Sequence, residues 1–164
     1  MRYLITFACY GAHMHGDEAG SVDRRHHLFG GRRVETDPRR AFNERRSMVQ
    51  EPYGMDCRAR AAVLATFQEV CSYRGWGLLA AHVRATHVHV VVEAEARPER
   101  VMNDLKAYAS RKLNRLSGDV GARRHWAYHG STLWLWKDQE VRNAVRYVVE
   151  EQGQPMAVYV GDVP

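Results

Sequence analysis

Two histidines separated by one residue are the sharpest chemical feature of the sequence. His87 and His89 flank Val88 in the run THVHVVVE, whose β-branched residues predict a strand. Alternate side chains of a strand project from the same face, so both imidazoles are expected to point to one side. Two adjacent imidazoles fill a core poorly but suit a metal ion. The alternative is a half-buried strand whose histidines are solvated or hydrogen-bonded, and the spacing alone leaves both interpretations open.

A second pair with the same spacing, His13 and His15, follows the first predicted strand. It lies in a glycine-rich stretch without strand alternation. Such a loop holds ligands less firmly than a strand does. We therefore favour His87 and His89 as the metal ligands.

Tyr147, on the last predicted helix, is the candidate nucleophile. It lies at the polar edge of an apolar stripe formed by Val141, Val145 and Val148. Glu151 follows one turn later, with about 5–6 Å between the Cβ atoms. A tyrosine in this position is most often a packing residue. Considered together with His87 and His89, however, Tyr147 can also be interpreted as a catalytic residue.

Together these residues form a coherent set for cutting a phosphodiester. A hard divalent cation bound by His87, His89 and Glu151 could polarise a scissile phosphate and neutralise charge in the transition state. Tyr147 would attack phosphorus, which gives a covalent phosphotyrosine and a free 3′ hydroxyl. Because a phenol is mostly protonated at neutral pH, the site must help to activate it.

The elements that would position these residues follow from the hydrophobic pattern. It predicts strands over residues 2–10, 77–84, 87–94 and 131–136, and helices over residues 56–73, 98–116 and 138–153. Asp56 and Asp138 are the expected N-caps. A short helix around residues 38–49 and an edge strand over residues 156–160 are further predictions. The order is the split β-α-β pattern of a ferredoxin-like α+β domain, with helices on one face and an appended C-terminal helix that carries Tyr147.

The length of 164 residues fits a single domain. Residues 11–53 interrupt the pattern, since glycines punctuate them and eight arginines fall between Arg24 and Arg46. We interpret this stretch as a long Arg-rich insertion, and residues 154–164 as a short tail. Loops of such length are usually functional or disordered.

The charge balance favours an acidic partner. The chain has 24 Lys and Arg against 19 Asp and Glu, and all but three of the basic residues are arginine, whose planar fork suits phosphate. The candidate DNA contacts lie on the second long helix and in the segment after it: Lys106, Arg111, Lys112, Arg115, Arg123 and Arg124. Three tryptophans, Trp126, Trp134 and Trp136, could stack on unpaired bases, although strand alternation favours core packing for the last two.

The three cysteines, Cys9, Cys57 and Cys71, have no CxxC spacing. This argues against a disulfide framework and against a thiolate zinc site. The sequence shows neither a secretion signal nor an apolar run of about 18 residues. We therefore expect a cytoplasmic protein without a membrane segment.

The ordered set of motifs resembles the single-tyrosine HUH transposases, where U is a bulky apolar residue. These include the insertion-sequence-200-like enzymes and the REP-associated tyrosine transposases. The motif His87-Val88-His89, the helix PERVMNDLKAYASRKLN, the segment GSTLWLW and the closing VRNAVRYVVEEQG occur in the order of that family. The resemblance covers residues 77–153 and the first strand.

The resemblance implies a ferredoxin-like fold, dependence on Mg²⁺ or Mn²⁺, and cleavage of single-stranded, hairpin-containing DNA through a 5′-phosphotyrosine. The family's histidines fall on His87 and His89, and its nucleophile falls on Tyr147. Its third metal ligand falls on Glu151, with Gln152 as the alternative if the match shifts by one residue. The Arg-rich insertion departs from compact members and leaves open both the DNA feature recognised and whether the chain forms a homodimer.

Three alternatives remain at this point. Tyr108, next to Lys106 on the second long helix, is a rival nucleophile, and Tyr128 is a third candidate. The chain could also be a catalytically silent nucleic-acid-binding relative in which Tyr147 only packs. A replication-initiator or relaxase-like nicking enzyme is the last alternative, although such enzymes are larger and often carry a second tyrosine on the same helix.

Overall fold

Five strands and four helices form the structure, a computed structural model that describes residues 1–12, 38–48, 50–118 and 123–164. The strands are β1 (Arg2–Cys9), β2 (Gly77–Val83), β3 (His87–Glu93), β4 (Trp126–Leu135) and β5 (Ala157–Val160). The helices are α1 (Pro38–Ser47), α2 (Cys57–Arg74), α3 (Pro98–Ser117) and α4 (Asp138–Glu150). No helix among the described residues is long and apolar enough to cross a membrane.

The strands form one antiparallel sheet in the order β4-β1-β3-β2-β5. The first four have the strand order of a ferredoxin-like domain, and β5 extends the sheet beyond β2. This confirms the predicted α+β class with an appended C-terminal helix. Because β3 is central, both of its neighbours help to fix its side chains.

Each face of the sheet has its own core. On the face that we call the α2/α3 face, Val88, Val90 and Val92 of β3 pack with residues of α2 and α3. On the opposite face, which we call the α4 face, Val91 packs with Val148 and its neighbours on α4. The two-residue period of β3 therefore divides its side chains between the two cores. His87 and His89 share the parity of Val91.

Local signals in the sequence explain the ends of α2. Asp56 is its N-cap, as predicted, and its side chain accepts a hydrogen bond of 2.7 Å from the backbone N–H of Ala59. The helix ends at Gly75, whose φ of 69° is the left-handed conformation that glycine adopts without strain. The following residue, Trp76, donates its N–H to the carbonyl of Cys71, which closes the turn into β2.

Three predicted boundaries are wrong. Strand β4 begins at Trp126 instead of Ser131, because Trp126 pairs with Cys9 of β1 and packs edge-on to Phe7 at 5.1 Å. Asp138 is the first residue of α4 and not its cap; Lys137 is the N-cap. The Glu140 carboxylate accepts a hydrogen bond from the backbone N–H of Lys137, which stabilises the first turn of the helix. The third boundary is the end of α4, which lies at Glu150 and not at Gly153.

His13 and His15, and most of the arginine pairs of the insertion, lie outside the described residues. The helix predicted around residues 38–49 is present as α1, which runs from Pro38 to Ser47. The end of the insertion is tied to the segment before β4. The Gln50 amide donates to the carbonyl of Arg124 at 2.6 Å and accepts its N–H at 2.8 Å.

Candidate active site

The two histidines of β3 lie side by side on the α4 face. Their ring centroids are 4.9 Å apart, with the planes at 85°. His87 is half-buried near the end of the sheet, and His89 is only 5% exposed. The strand register explains the difference, because His89 pairs with Thr6 of β1 and His82 of β2 whereas His87 is the first residue of its strand.

One ring nitrogen of His89 lies against Thr6, and the other has no hydrogen-bond partner among the described residues. Nδ1 lies 2.9 Å from the hydroxyl oxygen of Thr6. Nε2 is buried, and among the described residues no group meets it with hydrogen-bond geometry. A buried polar atom without a partner costs about 1–3 kcal/mol. When Nδ1–H donates to Thr6, Nε2 keeps the lone pair that a metal ligand needs.

Burial keeps the His89 ring neutral. It lowers the pKa of His89 to about 3, and the neighbouring His87 ring acts in the same direction. A hydrogen-bond contribution from the Gln152 side chain opposes this shift, so the amide lies close to the ring, although its geometry to Nε2 is not that of a hydrogen bond. Since only the neutral ring binds a metal ion, His89 is ready as a ligand at any physiological pH.

Helix α4 brings Tyr147 to this pair of histidines. Val141, Ala144 and Val148 are buried against the sheet and fix the face that the helix turns inward. Tyr147 is half-buried at the edge of that face, and its ring centroid lies 5.6 Å from that of His89 at 83°. Tyrosine and imidazole therefore meet in an edge-to-face contact within one chain.

Past the end of α4, Gln152 approaches His89 and Glu151 does not. The Glu151 carboxylate is half-exposed and lies 3.4 Å from Nε of Arg146. Gln152 folds back instead, and its Nε2 donates to the Tyr147 carbonyl at 3.1 Å. Of the two polar atoms of this amide, only the oxygen Oε1 can be a ligand for a hard cation.

The donor set fits a divalent cation only when the amide is included. Among the described residues, no group of three or more His, Cys, Asp or Glu side chains lies close enough to hold a metal. The imidazoles of His87 and His89 with the amide of Gln152 give two nitrogen donors and one oxygen donor. The buried Nε2 of His89, which makes no hydrogen bond within the described part of the chain, is the observation that favours an ion at this place.

Comparison with known proteins decides the family. The family described as IS200-like transposases matches residues 42–151, which is more than half of the chain. The chain belongs to the IS200-like transposase family. A search of curated proteins found no match.

Two solved structures are similar to this chain. One is a REP-associated tyrosine transposase bound to a REP hairpin, with 10% sequence identity, a TM-score of 0.48, and alignment over 92% of this chain and 65% of that chain. The other comes from Deinococcus radiodurans R1 and is described as a transposase, with 11% identity, a TM-score of 0.47, and alignment over 93% of this chain and 90% of that chain. This chain therefore spans about two thirds of the first of them.

The two rival nucleophiles lie on elements other than α4. Tyr108 belongs to α3 and packs against the core of the α2/α3 face, with the Arg111 guanidinium 4.3 Å from its ring centroid. The whole sheet separates it from His89. Tyr128 lies on the edge strand β4 and is 91% exposed.

Most of the predicted DNA contacts are at the surface, but Lys106 is not. Arg111, Arg115, Arg123 and Arg124 are exposed, and Lys112 is half-buried. The placement of Lys106 on the exposed basic face is wrong, because it is only 8% exposed. Its Nζ donates to the carbonyls of Ala127 and His129 at 3.1 Å each and lies 5.2 Å from the Phe7 ring centroid. It thus stabilises the irregular start of β4.

Burial also lowers the pKa of Lys106, from about 10.5 to about 8. Between these two values the unfolded chain holds a proton that the folded chain has lost, so the free energy of unfolding rises with pH across this window. We expect the wild-type slope to exceed that of Lys106→Met by up to about 1.4 kcal/mol per pH unit there. Urea denaturation of both proteins at several pH values measures the difference. Parallel curves would show that the ammonium titrates normally.

The prediction of core packing holds for Trp134, which is half-buried, and is wrong for Trp136, which is exposed. Trp126 is half-buried, packs on Phe7 and donates its Nε1–H to the carbonyl of Lys106 at 3.0 Å. Trp134 is half-buried against Tyr3, at 4.9 Å between centroids. Trp136 follows β4, stacks on Trp134 at 5.1 Å and remains 70% exposed.

Sequence reasoning missed His82, which is completely buried on the α4 face of β2. Its Nδ1 lies 3.0 Å from the carbonyl oxygen of Val148, one residue after Tyr147. Burial lowers its pKa, and the hydrogen bond to Val148 opposes that shift. The available signal was its place in the strand LLAAHV, where an imidazole among apolar residues must find a partner.

Proposed function

We propose that this transposase cuts and rejoins single-stranded DNA through a covalent 5′-phosphotyrosine on Tyr147, with Mg²⁺ or Mn²⁺ held by His87, His89 and Gln152. One observation carries the proposal: the Tyr147 ring lies 5.6 Å from His89, whose buried Nε2 has no hydrogen-bond partner among the described residues. A tyrosine in ring contact with a neutral imidazole whose buried Nε2 lacks hydrogen-bond geometry to any described residue is poorly explained by packing alone.

The chemistry of the bound cation would be that of a Lewis acid, since it would polarise the scissile phosphate and offset its negative charge. The protein's part is to orient the ligands. Thr6 fixes the ring of His89 by its hydrogen bond to Nδ1, and burial keeps that ring unprotonated. The Gln152 side chain is held by its hydrogen bond to the Tyr147 carbonyl, so the proposed ligand is anchored to the backbone of the proposed nucleophile.

In the cleavage step, the phenolic oxygen of Tyr147 forms a bond to phosphorus and the bond from phosphorus to the 3′ oxygen of the preceding nucleotide breaks. The phenolic proton passes to water, which the half-buried side chain can reach, and the leaving 3′ oxygen takes up a proton. Rejoining reverses this step, because a 3′ hydroxyl attacks the phosphotyrosine and releases the phenol. No outside energy source is needed, since one phosphoester replaces another.

All the proposed active-site residues belong to one chain. His87, His89, Tyr147 and Gln152 of a single copy meet on the α4 face. We therefore propose that cleavage occurs within a single subunit. A homodimer is compatible with this arrangement but is not required to complete the site.

The proposed substrate is single-stranded DNA that carries a hairpin, as the family resemblance implies. The end of the sheet at which His87 lies is also the end at which β4 begins, because Ala8 pairs with His87 and the adjacent Cys9 pairs with Trp126. Arg123 and Arg124, just before β4, are exposed there. A strand that leaves the active site around this end of the sheet would meet these guanidinium groups and then the C-terminal half of α3.

We expect loss of Arg111 and Arg115 to weaken binding to single-stranded DNA and to reduce its salt dependence. Each lost phosphate contact should lower the slope of log K against log salt by about 0.7. The control is Arg97→Gln with Arg100→Gln, which removes two exposed arginines from the opposite end of α3. Fluorescence anisotropy over a salt series measures the slopes. Equal effects of the two double variants would mean that overall charge, and not this part of α3, determines binding.

The direct test of the proposed activity is formation of a protein–DNA adduct that survives denaturation. The protein is incubated with Mn²⁺ and labelled single strands that contain hairpins, and a parallel reaction contains EDTA. The proposal predicts a labelled protein band with Mn²⁺ and none with EDTA. Binding without an adduct under any metal condition would favour the catalytically silent relative.

A further inference from the structure

We infer that His82 is a positioning residue, which locks the last turn of α4 to the sheet so that Tyr147 and Gln152 stay against His89. Together with Arg84, it forms what we call the latch. This inference rests on the proposed function, because the positioned groups are the proposed nucleophile and ligand. The latch is nevertheless defined by contacts that involve neither of these side chains.

The first contact of the latch satisfies an orphan group of the helix. The last four carbonyls of an α-helix have no partner within the helix, and that of Val148 is one of them in α4. Nδ1 of His82 lies 3.0 Å from this oxygen. Since a carbonyl can only accept, Nδ1 must carry the hydrogen. The sheet thus caps the helix one residue after Tyr147.

The second contact fixes the tautomer of His82 and the chain beyond the helix. The backbone N–H of Met156 donates to Nε2 of His82 at 3.1 Å. Nε2 must therefore be the unprotonated nitrogen, so the ring is neutral and both of its nitrogens are used. A single buried ring bridges the end of α4 and the start of β5.

Arg84 supplies the other arm of the latch. Its Nη1 donates to the carbonyl of Gln154 at 2.9 Å. The anchored positions 148, 154 and 156 enclose Glu151, Gln152 and the turn at Gly153, whose φ is 77°. The turn that carries the proposed ligand is therefore held at both ends, and His82 also pairs directly with His89 across the two strands.

The variants separate the hydrogen bonds of His82 from its volume. His82→Gln keeps one donor and one acceptor, whereas His82→Leu fills the space and has neither. Leu79→Ala is the matched control, because it creates a cavity in the same core on β2 without touching the latch. Arg84→Met removes the other arm at a half-buried position, so it tests the latch even if His82→Leu does not fold.

Two readouts are needed. The first is the rate of adduct formation at saturating DNA and Mn²⁺. We expect His82→Leu to lower it at least about tenfold with unchanged DNA affinity, since a misplacement of about 1 Å can cost roughly 100-fold. His82→Gln should regain most of the rate, and Arg84→Met should fall between. An equal loss in Leu79→Ala at matched thermal stability, or no rescue by His82→Gln, would overturn the inference.

The second readout is independent of catalysis. Amide hydrogen exchange of residues 150–152 should accelerate in His82→Leu and in Arg84→Met, and stay close to wild type in His82→Gln. If the wild-type protein forms no adduct, the proposed function fails and the exchange rates alone decide the latch. Unchanged exchange in both His82→Leu and Arg84→Met would show that these contacts do not hold the end of α4.

Discussion

Tyr147→Phe is expected to abolish the covalent protein–DNA adduct and to leave DNA binding intact. The change removes one oxygen, which is the atom proposed to bond to phosphorus, so no covalent route remains. The ring still packs edge-on to His89, and Val141, Ala144 and Val148 still hold the helix to the sheet. Loss of the hydroxyl should cost at most about 1 kcal/mol of stability. Denaturing electrophoresis with labelled DNA measures the adduct, and anisotropy measures binding.

Tyr108→Phe is the matched control, because it removes the same atom from the other face of the sheet. We expect this variant to form the adduct at a rate close to wild type. Loss of the adduct in Tyr108→Phe but not in Tyr147→Phe would transfer the nucleophile to α3 and would contradict the assignment of the α4 face. An adduct in both variants would leave Tyr128 to be tested.

His89→Ala is expected to eliminate both cleavage and specific metal binding. His89 is the most deeply buried of the proposed ligands, and its Nε2 makes no hydrogen bond to any described residue. Residues that only orient a ligand change metal affinity by about 10–100-fold, so loss of the ligand itself should exceed about 100-fold. Mn²⁺ should raise the melting temperature of the wild-type protein and not that of His89→Ala. An equal rise in both proteins would place the ion elsewhere.

Glu151 and Gln152 allow a further comparison in the same assay. Glu151 lies beside Arg146, whereas Gln152 lies next to the His89 ring. Gln152→Ala should therefore weaken the Mn²⁺-dependent stabilisation, and Glu151→Ala should leave it close to wild type. The opposite result would mean that Glu151 leaves Arg146 and reaches the cation when the metal binds.

Strand alternation was enough to predict how the histidine pair is oriented. The two-residue period assigns His87 and His89 to one face, and the apolar stripe of the last helix assigns Tyr147 to the border of its buried face. The order of strands and helices predicted the ferredoxin-like sheet. These features depend on periods of a few residues, which the sequence displays directly.

Features that depend on contacts between distant segments could not be predicted. A helical period would place Glu151 one turn after Tyr147 on the same helix face, but the helix stops at Glu150. The Tyr147 carbonyl there accepts both the Glu151 N–H and the Gln152 amide, a contact that the sequence pattern does not display. His82 owes its role to Val148 and Met156, which lie 66 and 74 positions away. In the sequence Lys106 falls on the polar face of its helix, which predicts an exposed charge. In the fold β4 covers it, and its Nζ donates to the carbonyls of Ala127 and His129.

The most direct test of the account is to identify the residue that carries the DNA. Trypsin cuts after Arg146 and then finds no Lys or Arg up to the last residue, so Tyr147 becomes the first residue of peptide 147–164, while Tyr108 and Tyr128 fall in other peptides. Cleavage after Glu150 or Glu151 then separates Tyr147 from Tyr159. After nuclease trimming of the adduct, mass spectrometry should find a 5′-phosphonucleotide on Tyr147. The same mass on any other residue, or a cut strand with no modified peptide, would contradict tyrosine catalysis at the α4 face.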